Sequence, residues 1–490
     1  MHADVRFRVE FGTAGADDLL HGVMDLDVQV LQPNVAVLKL HQFRLQFTAC
    51  SVFSGGRTCK CDSWTLDAEN QQVVFRFSAP FELGLATFHM AWTVNVSRLP
   101  DPKPGEKYWK GIFVQHYGPR SFHCITQFEP CNARSAYPCF DQPCTKQTFR
   151  LTLSNVPAEL TTLSNTEIET EVAEADQTKT VTFRQTAPTP AYLTAWVIGV
   201  FDRLERTLSL PDFEGTGGKT VALDVRVFVP RELAAQGYEG GYGLELVCKA
   251  VSFFTHEFRV NYPYGKLDNV STPLHPLLGM ENWGLITYSA GFLDVKPGSL
   301  TQDRRKRIAR LVAHEVVHQW FGNSTTVGWW SALYLKEGFA RLLEYVFVDR
   351  SFPEWHYFDH FQSDIYASVL GLDERLERTH PVQHRIDVPA QIYSNVDLIT
   401  YAKGACVLRQ LWSFLGAETF FAALQLYLRR HRNDCVMPAQ LWQAMTDATN
   451  GSVDVAALMD CWVTKRGHPF IRGNQLVVLF SFCFVFLHHL

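Results

Sequence analysis

Two histidines four residues apart flank a glutamate in the stretch Ala313–Asn323. A helix places residues four apart on one face, so His314 and His318 can bind one metal ion. Glu315 lies about 100° round the same helix, where it can act as a general base on water at the metal. On its own, this pattern also fits a helix that carries two buried histidines with ordinary hydrogen-bond partners.

A second helical segment, Leu335 to Ala340, favours the metal site. It sets Glu337 after 18 intervening residues, a gap that suits a turn and a returning helix bringing a third ligand. Three protein ligands leave the fourth position of a zinc ion open, which is typical of catalytic sites. The pattern therefore predicts one zinc ion per chain and a hydrolytic reaction. In that reaction the metal lowers the pKa of water and Glu315 accepts the proton.

The stretch Gly279-Met-Glu-Asn-Trp-Gly284, which runs into Leu285–Tyr288, indicates which bond is cut. It predicts a turn followed by an edge strand, and such a strand can align an extended peptide by main-chain hydrogen bonds. Glu281 is then a carboxylate near the metal without a ligand role, which suits a cation such as the free α-amino group of a peptide. We expect four consecutive residues to contact the substrate: Gly279, Met280, Glu281 and Asn282.

Together, the His-Glu-x-x-His motif, the glutamate after 18 residues and the Gly-x-Met-Glu-Asn-like loop resemble the zinc aminopeptidases of the gluzincin clan. The likeness extends over about residues 5–470 and is closest to the puromycin-sensitive group. By this resemblance, Glu129 shares the substrate amine with Glu281, and Gln127 lies beside the first side-chain pocket. Tyr401, in a Tyr-x-Lys-Gly motif, would donate its hydroxyl to the oxyanion of the tetrahedral intermediate.

The segments around these motifs differ in their hydrophobic pattern, and this difference predicts two domains. Residues 1–205 consist of short hydrophobic runs separated by Gly, Pro, Asn and Asp, which is typical of β-strands. We expect an N-terminal all-β sandwich or saddle there, with an exposed loop at Asp101–Gly105. A hairpin at Pro211–Gly218 and a strand at Val221–Pro230 follow, near the boundary between the domains.

The second predicted domain covers residues 206–470. By the resemblance it is a thermolysin-like α/β zinc-peptidase domain, and we expect its sheet to have an edge strand at Met280–Tyr288. Longer helical periods support the change of architecture and predict helices at 302–321, 332–350, 403–415, 417–431 and 438–449.

Composition restricts the partners and the compartment. The 490 residues are 47% hydrophobic and carry a formal net charge of −5, which argues against a nucleic-acid partner. Twelve cysteines are too sparse for a disulfide scaffold, and the first residues lack the pattern of a signal peptide, so we expect a cytoplasmic protein. The apolar run Leu476–Leu487 has 12 residues, short of the roughly 20 that span a bilayer, and we expect no integral membrane segment.

Several positions depart from the pattern of the family. Leu278 stands where relatives usually have glycine, and a branched residue would strain the loop if that glycine has a positive φ. Lys336 replaces the usual asparagine before Glu337, although adjacent helical positions point about 100° apart and the cation need not reach the metal. Leu274 and His275 stand where relatives carry Asp-Phe. His275 either lines a pocket or, as we favour, faces solvent.

The resemblance stops soon after Trp462–Phe470, and residues 471–490 form an aromatic, apolar tail. We expect a truncated, frame-shifted or alternatively spliced product that lacks the C-terminal domains of the family and can associate through the face they would cover. The leading hypothesis is a zinc aminopeptidase acting on peptides with a free amino terminus. The alternatives are a relative that also hydrolyses an epoxide, and a catalytically impaired homologue that binds peptides or a partner protein.

Overall fold

The computed structural model describes residues 1–11, 18–98, 111–118, 121–215, 218–273 and 275–468. The expected loop at Asp101–Gly105, Leu274 and the tail 471–490 lie outside the described residues. By their internal contacts the residues form two units: residues 1–328 with 431–435, and residues 329–430 with the chain from residue 436. The domain bounds 1–205 and 206–470 stay predictions.

The N-terminal part of the first unit is built from β-strands, as its alternating hydrophobic pattern predicts. The strands are β1 His2–Glu10, β2 Leu19–Val30, β3 Val37–His41, β4 Gln46–Ser54, β5 Arg57–Lys60, β6 Ser63–Asp67, β7 Gln72–Arg76, β8 Gly84–Asn95, β9 Ser97–Arg98, β10 Gly111–Gly118, β11 Ser121–Gln127, β12 Lys146–Pro157, β13 Thr161–Ser164, β14 Ile168–Ala173, β15 Thr178–Phe183, β16 Thr189–Pro190 and β17 Trp196–Gly199.

Strand β1 illustrates why this part folds as sheet. Every second residue, Ala3, Val5, Phe7 and Val9, is buried, and the residues between them are not. This period of two is the signature of a strand with one face on a core. The strand pairs in parallel with β12 and antiparallel with β2, and its buried residues join the hydrophobic core of the N-terminal sheets.

A mixed five-stranded sheet follows in the same unit. Its strands are β18 Phe201–Pro211, β19 Thr220–Pro230, β20 Lys266–Thr272, β21 Gly279–Met280 and β22 Leu285–Ser289, in the order β18-β19-β20-β22-β21. β18 and β19 pair antiparallel from Phe201 opposite Pro230 to Pro211 opposite Thr220, which confirms the predicted hairpin. A β-rich N-terminal domain followed by a mixed α/β domain is therefore confirmed.

The expected edge strand at Met280–Tyr288 is wrong in detail. The segment forms two antiparallel strands, with Gly279 opposite Tyr288 and Met280 opposite Thr287. The short strand β21 is the edge of the sheet, and β22 lies inside it, in parallel pairing with β20. The turn between the two strands, rather than a continuous strand, thus carries Glu281.

Helices make up most of the rest. They are α1 Arg231–Ala234, α2 Gly241–Phe258, α3 Gln302–Val317, α4 Tyr334–Ser351, α5 Ala367–Asp373, α6 Pro389–Ser394, α7 Gly404–Leu415, α8 Ala417–Arg430, α9 Pro438–Ala448 and α10 Val455–Thr464, and two short strands are β23 Thr326–Val327 and β24 Cys435–Val436. The predicted helices are confirmed at these places. Helix α3 ends four residues earlier than predicted, at Val317, and residues 319–321 follow in turns whose N–H groups bond to the carbonyls of Val316 and Val317.

Candidate active site

Helix α3 presents the two histidines of the sequence motif side by side. The Oγ1 atom of Thr301 accepts a hydrogen bond from the backbone N–H of Arg304 and caps the start of the helix. Thirteen and seventeen residues further on, His314 and His318 are both buried, and their Nε2 atoms lie 3.3 Å apart. The Nδ1–H of His318 donates to the carbonyl oxygen of Phe321 at 2.9 Å. That bond fixes the ring and leaves Nε2 as the atom available to a metal.

The spacing of these nitrogens fits a zinc ion. Zinc–nitrogen bonds of about 2.0–2.1 Å at the tetrahedral angle put two nitrogens about 3.4 Å apart. The observed 3.3 Å between the Nε2 atoms of His314 and His318 agrees with that value. Nitrogen donors from two neutral imidazoles are also ligands that zinc accepts readily. The pair therefore fits a zinc ion in both geometry and chemistry.

Glu315 lies between the histidines in sequence and against the loop Gly279–Gly284 in space. Its side chain is buried, at 4% exposure. A Cβ atom built on Gly279 would lie 2.4 Å from the Oε1 atom of Glu315, closer than any real contact. Burial raises the pKa of Tyr288, and the nearby charge of Glu315 raises it further. The acid that follows His314 thus packs directly on the start of the loop.

The backbone conformation at the two ends of the loop shows where glycine is required. Leu278 has no positive φ, so the condition under which a branched residue would strain the loop is not met. Its side chain is 58% exposed and meets no steric restriction of the kind that would require glycine. Gly284, at the other end of the loop, does have a positive φ of 81°, and a Cβ there would lie 2.1 Å from the carbonyl oxygen of Asn165.

Two carboxylates meet beside this loop, one from each part of the first unit. Glu281 is buried on the turn after β21, and Glu129 follows β11. A carboxylate oxygen of Glu129 lies within 4.8 Å of a carboxylate oxygen of Glu281. Gln127, at the end of β11, is buried and its Nε2 atom contacts the Sδ atom of Met280 at 3.3 Å. The strand β11 thereby brings Glu129 and Gln127 to the loop.

Some polar atoms near the loop are buried without a protein partner. Both side-chain atoms of the Asn282 amide, and the Oε1 atom of Gln127, have no hydrogen-bond partner among the residues that the structure describes. Buried polar groups are normally hydrogen-bonded, so such atoms are candidates for contacts with a ligand or with water.

The second unit carries Glu337 and Tyr401. Glu337 is buried in the first turn of α4, and the Nζ atom of the fully buried Lys336 lies 3.1 Å from its Oε1 atom. Lys336 therefore forms an ion pair with the carboxylate next to it in sequence. Tyr401 lies on a π-helix, Ile399–Lys403, and the guanidinium of Arg341 lies 5.9 Å from the centre of its ring.

His275 differs from its prediction, because its side chain does not face solvent. It is 8% exposed, and its Nε2 atom lies 2.9 Å from the Oγ1 atom of Thr287 on β22. Burial lowers the pKa of His275 to about 4, so the imidazole is neutral at neutral pH. The neighbouring sequence gives no signal for this, because the partner on β22 lies 12 residues away.

Sequence reasoning also gave no role to two amides that follow His318. The Nε2 of Gln319 and the Nδ2 of Asn323 both donate to the backbone carbonyl of Glu281, at 3.0 and 2.8 Å. Their partner lies 38 and 42 residues away, so only the folded structure connects the amides to the loop.

Two buried imidazoles beside a carboxylate, with an edge strand close by, form an arrangement that is typical of metal-dependent peptidases. Known families agree with this class. The family description "Peptidase M1 N-terminal domain" matches residues 2–193, and "Peptidase family M1 domain" matches residues 242–462. The chain belongs to peptidase family M1, whose members are zinc metallopeptidases.

Individual relatives are named aminopeptidases or peptide-degrading enzymes. The chain is 35% identical to the puromycin-sensitive aminopeptidase of Caenorhabditis elegans, over 78% of this chain and 38% of the relative. It is 32% identical to aminopeptidase M1 of Arabidopsis thaliana, over 91% of this chain and 48% of that protein. It is 33% identical to the thyrotropin-releasing hormone-degrading ectoenzyme of Rattus norvegicus, over 75% of this chain and 34% of that protein.

The chain thus spans less than half the length of these three relatives. Within its described residues, no single helix is both long and apolar enough to cross a membrane, and one bent helix pair, Ile399–Leu415 with Ala417–Arg430, passes that test jointly. The names of the relatives include an ectoenzyme, so the cytoplasmic location stays a prediction.

Proposed function

We propose that this chain is a zinc-dependent aminopeptidase that hydrolyses the first peptide bond of peptides with a free amino terminus. One observation carries the proposal: the imidazole pair and a pair of carboxylates belong to the same unit and are joined through one loop. Glu315 packs on Gly279 at the start of that loop, and Glu281 follows two residues later. Membership of the M1 family supports hydrolysis of peptide bonds.

The metal site in this proposal consists of His314, His318 and Glu337, with one zinc ion per chain. The spacing of the two Nε2 atoms supports the first two ligands. The burial of Glu337 in the first turn of the next long helix supports the third. When bound, zinc lowers the pKa of water and polarises the scissile carbonyl group.

Glu315 is the general base in this proposal. Its carboxylate accepts a proton from the attacking water and returns it to the leaving amine, a role that a buried carboxylate beside the reacting atoms can fill. Tyr401 donates its hydroxyl hydrogen to the carbonyl oxygen as negative charge develops there. The edge strand formed by Gly279 and Met280 pairs with the main chain of the peptide.

Glu129 and Glu281 select peptides with a free amino terminus. Two carboxylates this close repel each other unless a cation lies between them, and the α-ammonium group of a peptide supplies that cation. A blocked amine would forfeit charge-assisted hydrogen bonds and leave both acids without compensation. The buried amides of Gln127 and Asn282 suit the first residue and the main chain of the substrate.

The test measures turnover of aminoacyl-coumarin amides, with free and with acetylated amines, by protein of known zinc content. We expect turnover that is confined to free amines and lost on chelation. Glu315→Gln should lower kcat by about 100-fold or more while zinc content is kept, because general acid–base catalysis contributes about 10²–10⁴-fold. Asp303→Asn, on the exposed first turn of the same helix, is the matched control. Unchanged turnover in Glu315→Gln would refute the mechanism.

A second candidate function is a peptide-binding homologue with little turnover. The observation that favours it is the ion pair between Lys336 and Glu337, because an ammonium group beside a ligand carboxylate weakens its binding to a cation. This alternative predicts binding of peptides with a free amino terminus but low zinc content and no hydrolysis. Stoichiometric zinc together with chelator-sensitive turnover would exclude it.

A further inference from the structure

Side chains from several segments hold the loop Glu281–Gly284, in addition to a main-chain hydrogen bond from Asp268 to the carbonyl of Gly284. The carbonyl of Trp283 accepts from the Nδ2 of Asn165 at 2.8 Å, and that of Gly284 accepts from the Nζ of Lys266 at 2.8 Å. The backbone N–H of Gly284 donates to the Oε1 of Gln319 at 3.1 Å. Each of these side-chain contacts comes from a different segment of the first unit, so the loop is fixed from several directions.

The backbone carbonyl of Glu281 is bound by two side chains from the segment that follows helix α3. The carbonyl oxygen accepts from the Nε2 of Gln319 at 3.0 Å and from the Nδ2 of Asn323 at 2.8 Å. Gln319 has no measurable solvent exposure, and neither has Asn323. Because Gln319 binds Glu281 through one amide atom and Gly284 through the other, it spans the loop from end to end.

We infer that Gln319 and Asn323 are positioning residues that set the distance between the amine-binding carboxylate and the metal-binding histidines. Gln319 directly follows His318, so its bond ties Glu281 to the helix that carries both imidazoles. The α-amine and the first carbonyl of a peptide are attached to the same Cα, within about 2.5 Å of each other. An enzyme that binds both groups at once therefore tolerates little movement of Glu281 relative to the histidines.

This inference rests on the proposed aminopeptidase function, and its consequence is a specific loss. Without the two donors, Glu281 can shift while His314, His318 and Glu315 stay in place on their helix. Misplacing a substrate by about 1 Å can cost about 100-fold in rate. The preference for substrates with a free amine should decrease together with the rate, because the contact between the amine and Glu281 is the one that becomes misaligned.

The experiment uses the full chain with two substitutions made separately. Gln319→Leu removes both loop contacts of that side chain, and Asn323→Asp exchanges a donor for an acceptor at nearly constant shape. Asn269→Asp is the matched control, since Asn269 is equally buried and its Nδ2 donates to the carbonyls of Arg226 and Leu267, outside the loop. Zinc content and thermal unfolding are measured for every variant.

The decisive readout is the inhibition constant of N-acetyl-leucine hydroxamate divided by that of leucine hydroxamate, which has a free amine. Both compounds bind a metal through the hydroxamate. We expect wild-type protein and Asn269→Asp to bind the free amine about 10- to 100-fold more tightly, since a hydrogen bond to a charged group is worth about 1.5–3 kcal/mol. In Gln319→Leu and Asn323→Asp that factor should fall toward one, with kcat/KM down about 100-fold and zinc retained.

The outcomes separate this inference from the function on which it rests. A wild-type factor near one would overturn the proposed function and this inference together. A high wild-type factor that persists in both variants would overturn the inference alone, even if the variants were less stable. If Gln319→Leu does not fold, Asn323→Asp decides between the two results.

Discussion

At the scale of single residues, Gly279 is fitted closely to the carboxylate beside it. A Cβ atom there would lie 2.4 Å from the Oε1 atom of Glu315 and 2.8 Å from its Cγ atom. The backbone of Gly279 has no positive φ, so the need for glycine comes from the neighbouring carboxylate and not from its own conformation. The loop and the proposed base are fitted to each other.

Gly279→Ala should therefore displace the carboxylate of Glu315 and lower kcat/KM by about 100-fold, because the proposed base leaves its position. The melting temperature should change little, since the clashing atoms belong to a side chain that can rotate away. Gly241→Ala is the control, as no atom lies within 4 Å of a Cβ built there. Wild-type kcat/KM in Gly279→Ala would show that Glu315 does not need this position.

The contacts that could be predicted from the sequence are those between side chains that lie close together along the chain. His314 and His318 share a helical face, and a spacing of four residues is enough to predict that they meet. Glu129 could be placed only through the resemblance to a family, because no local pattern connects it to Glu281. Gln319 and His275 escaped prediction because their hydrogen-bond partners are chosen by tertiary packing.

At the scale of elements, hydrophobic pattern predicted where helices lie better than where they end. The period that indicates a helix at 302–321 continues through Trp320 and Phe321, which are buried. The helix nevertheless stops at Val317, and a hydrogen-bonded turn carries the same apolar residues into the core. Periodicity reports burial, and it cannot distinguish a last helical turn from a buried turn of another kind.

The start of the π-helix Ile399–Lys403, which carries Tyr401, depends on one carboxylate. The Oδ1 of Asp397 accepts from the backbone N–H groups of Ile399 and Thr400, both at 3.0 Å. Its Oδ2 lies 2.8 Å from the Nε2 of His380. The histidine therefore holds the group that caps the π-helix.

Protonation of His380 should stabilise this arrangement. Burial and the charge of Lys403 act to lower the pKa of His380, but hydrogen bonds to Asp397 and to the carbonyl of Pro381, with the charge of Asp397, raise it overall. The neighbouring His384, whose ring centre is 4.3 Å away, has a pKa lowered by burial and by His380. A histidine with a raised folded-state pKa contributes stability that is complete below about pH 6.5 and is lost as pH rises through the folded-state pKa.

His380→Gln should accordingly remove a stability advantage that is present in acid and absent at higher pH. Urea unfolding of wild-type protein and variant between pH 5 and pH 8 checks this, and the difference between the two midpoints should shrink as pH rises. His360→Gln, a histidine of the same unit outside this cluster, gives the background. A difference between wild type and His380→Gln that is constant with pH would exclude the ion pair with Asp397.

At the scale of the whole molecule, Lys146 connects the N-terminal sheet to the segment that follows helix α3, within the first unit. It begins β12, and its Nζ atom donates to the carbonyls of Asn323 and Ser324 at 3.0 and 2.7 Å. The sequence predicted a β-rich part followed by a mixed part, because each part has its own local hydrophobic pattern. It did not predict this connection, because a lysine at the start of a strand has no local pattern that identifies its distant partners.

Burial lowers the pKa of Lys146 from 10.5 to about 8, against the charges of Cys435 and Asp434, which raise it. Between these pH values the unfolded chain binds more protons than the folded one, so the free energy of unfolding should rise with pH, by about 3 kcal/mol over the window.

Lys146→Met removes this dependence and adds a constant loss from the two carbonyls left without their donor. The difference in urea midpoint between wild type and Lys146→Met, measured in reductant from pH 7.5 to 10.5, should therefore move steadily in favour of wild type. A difference independent of pH would mean that Lys146 keeps an ordinary pKa, and that its ammonium group remains hydrated while it bridges the two parts of the unit.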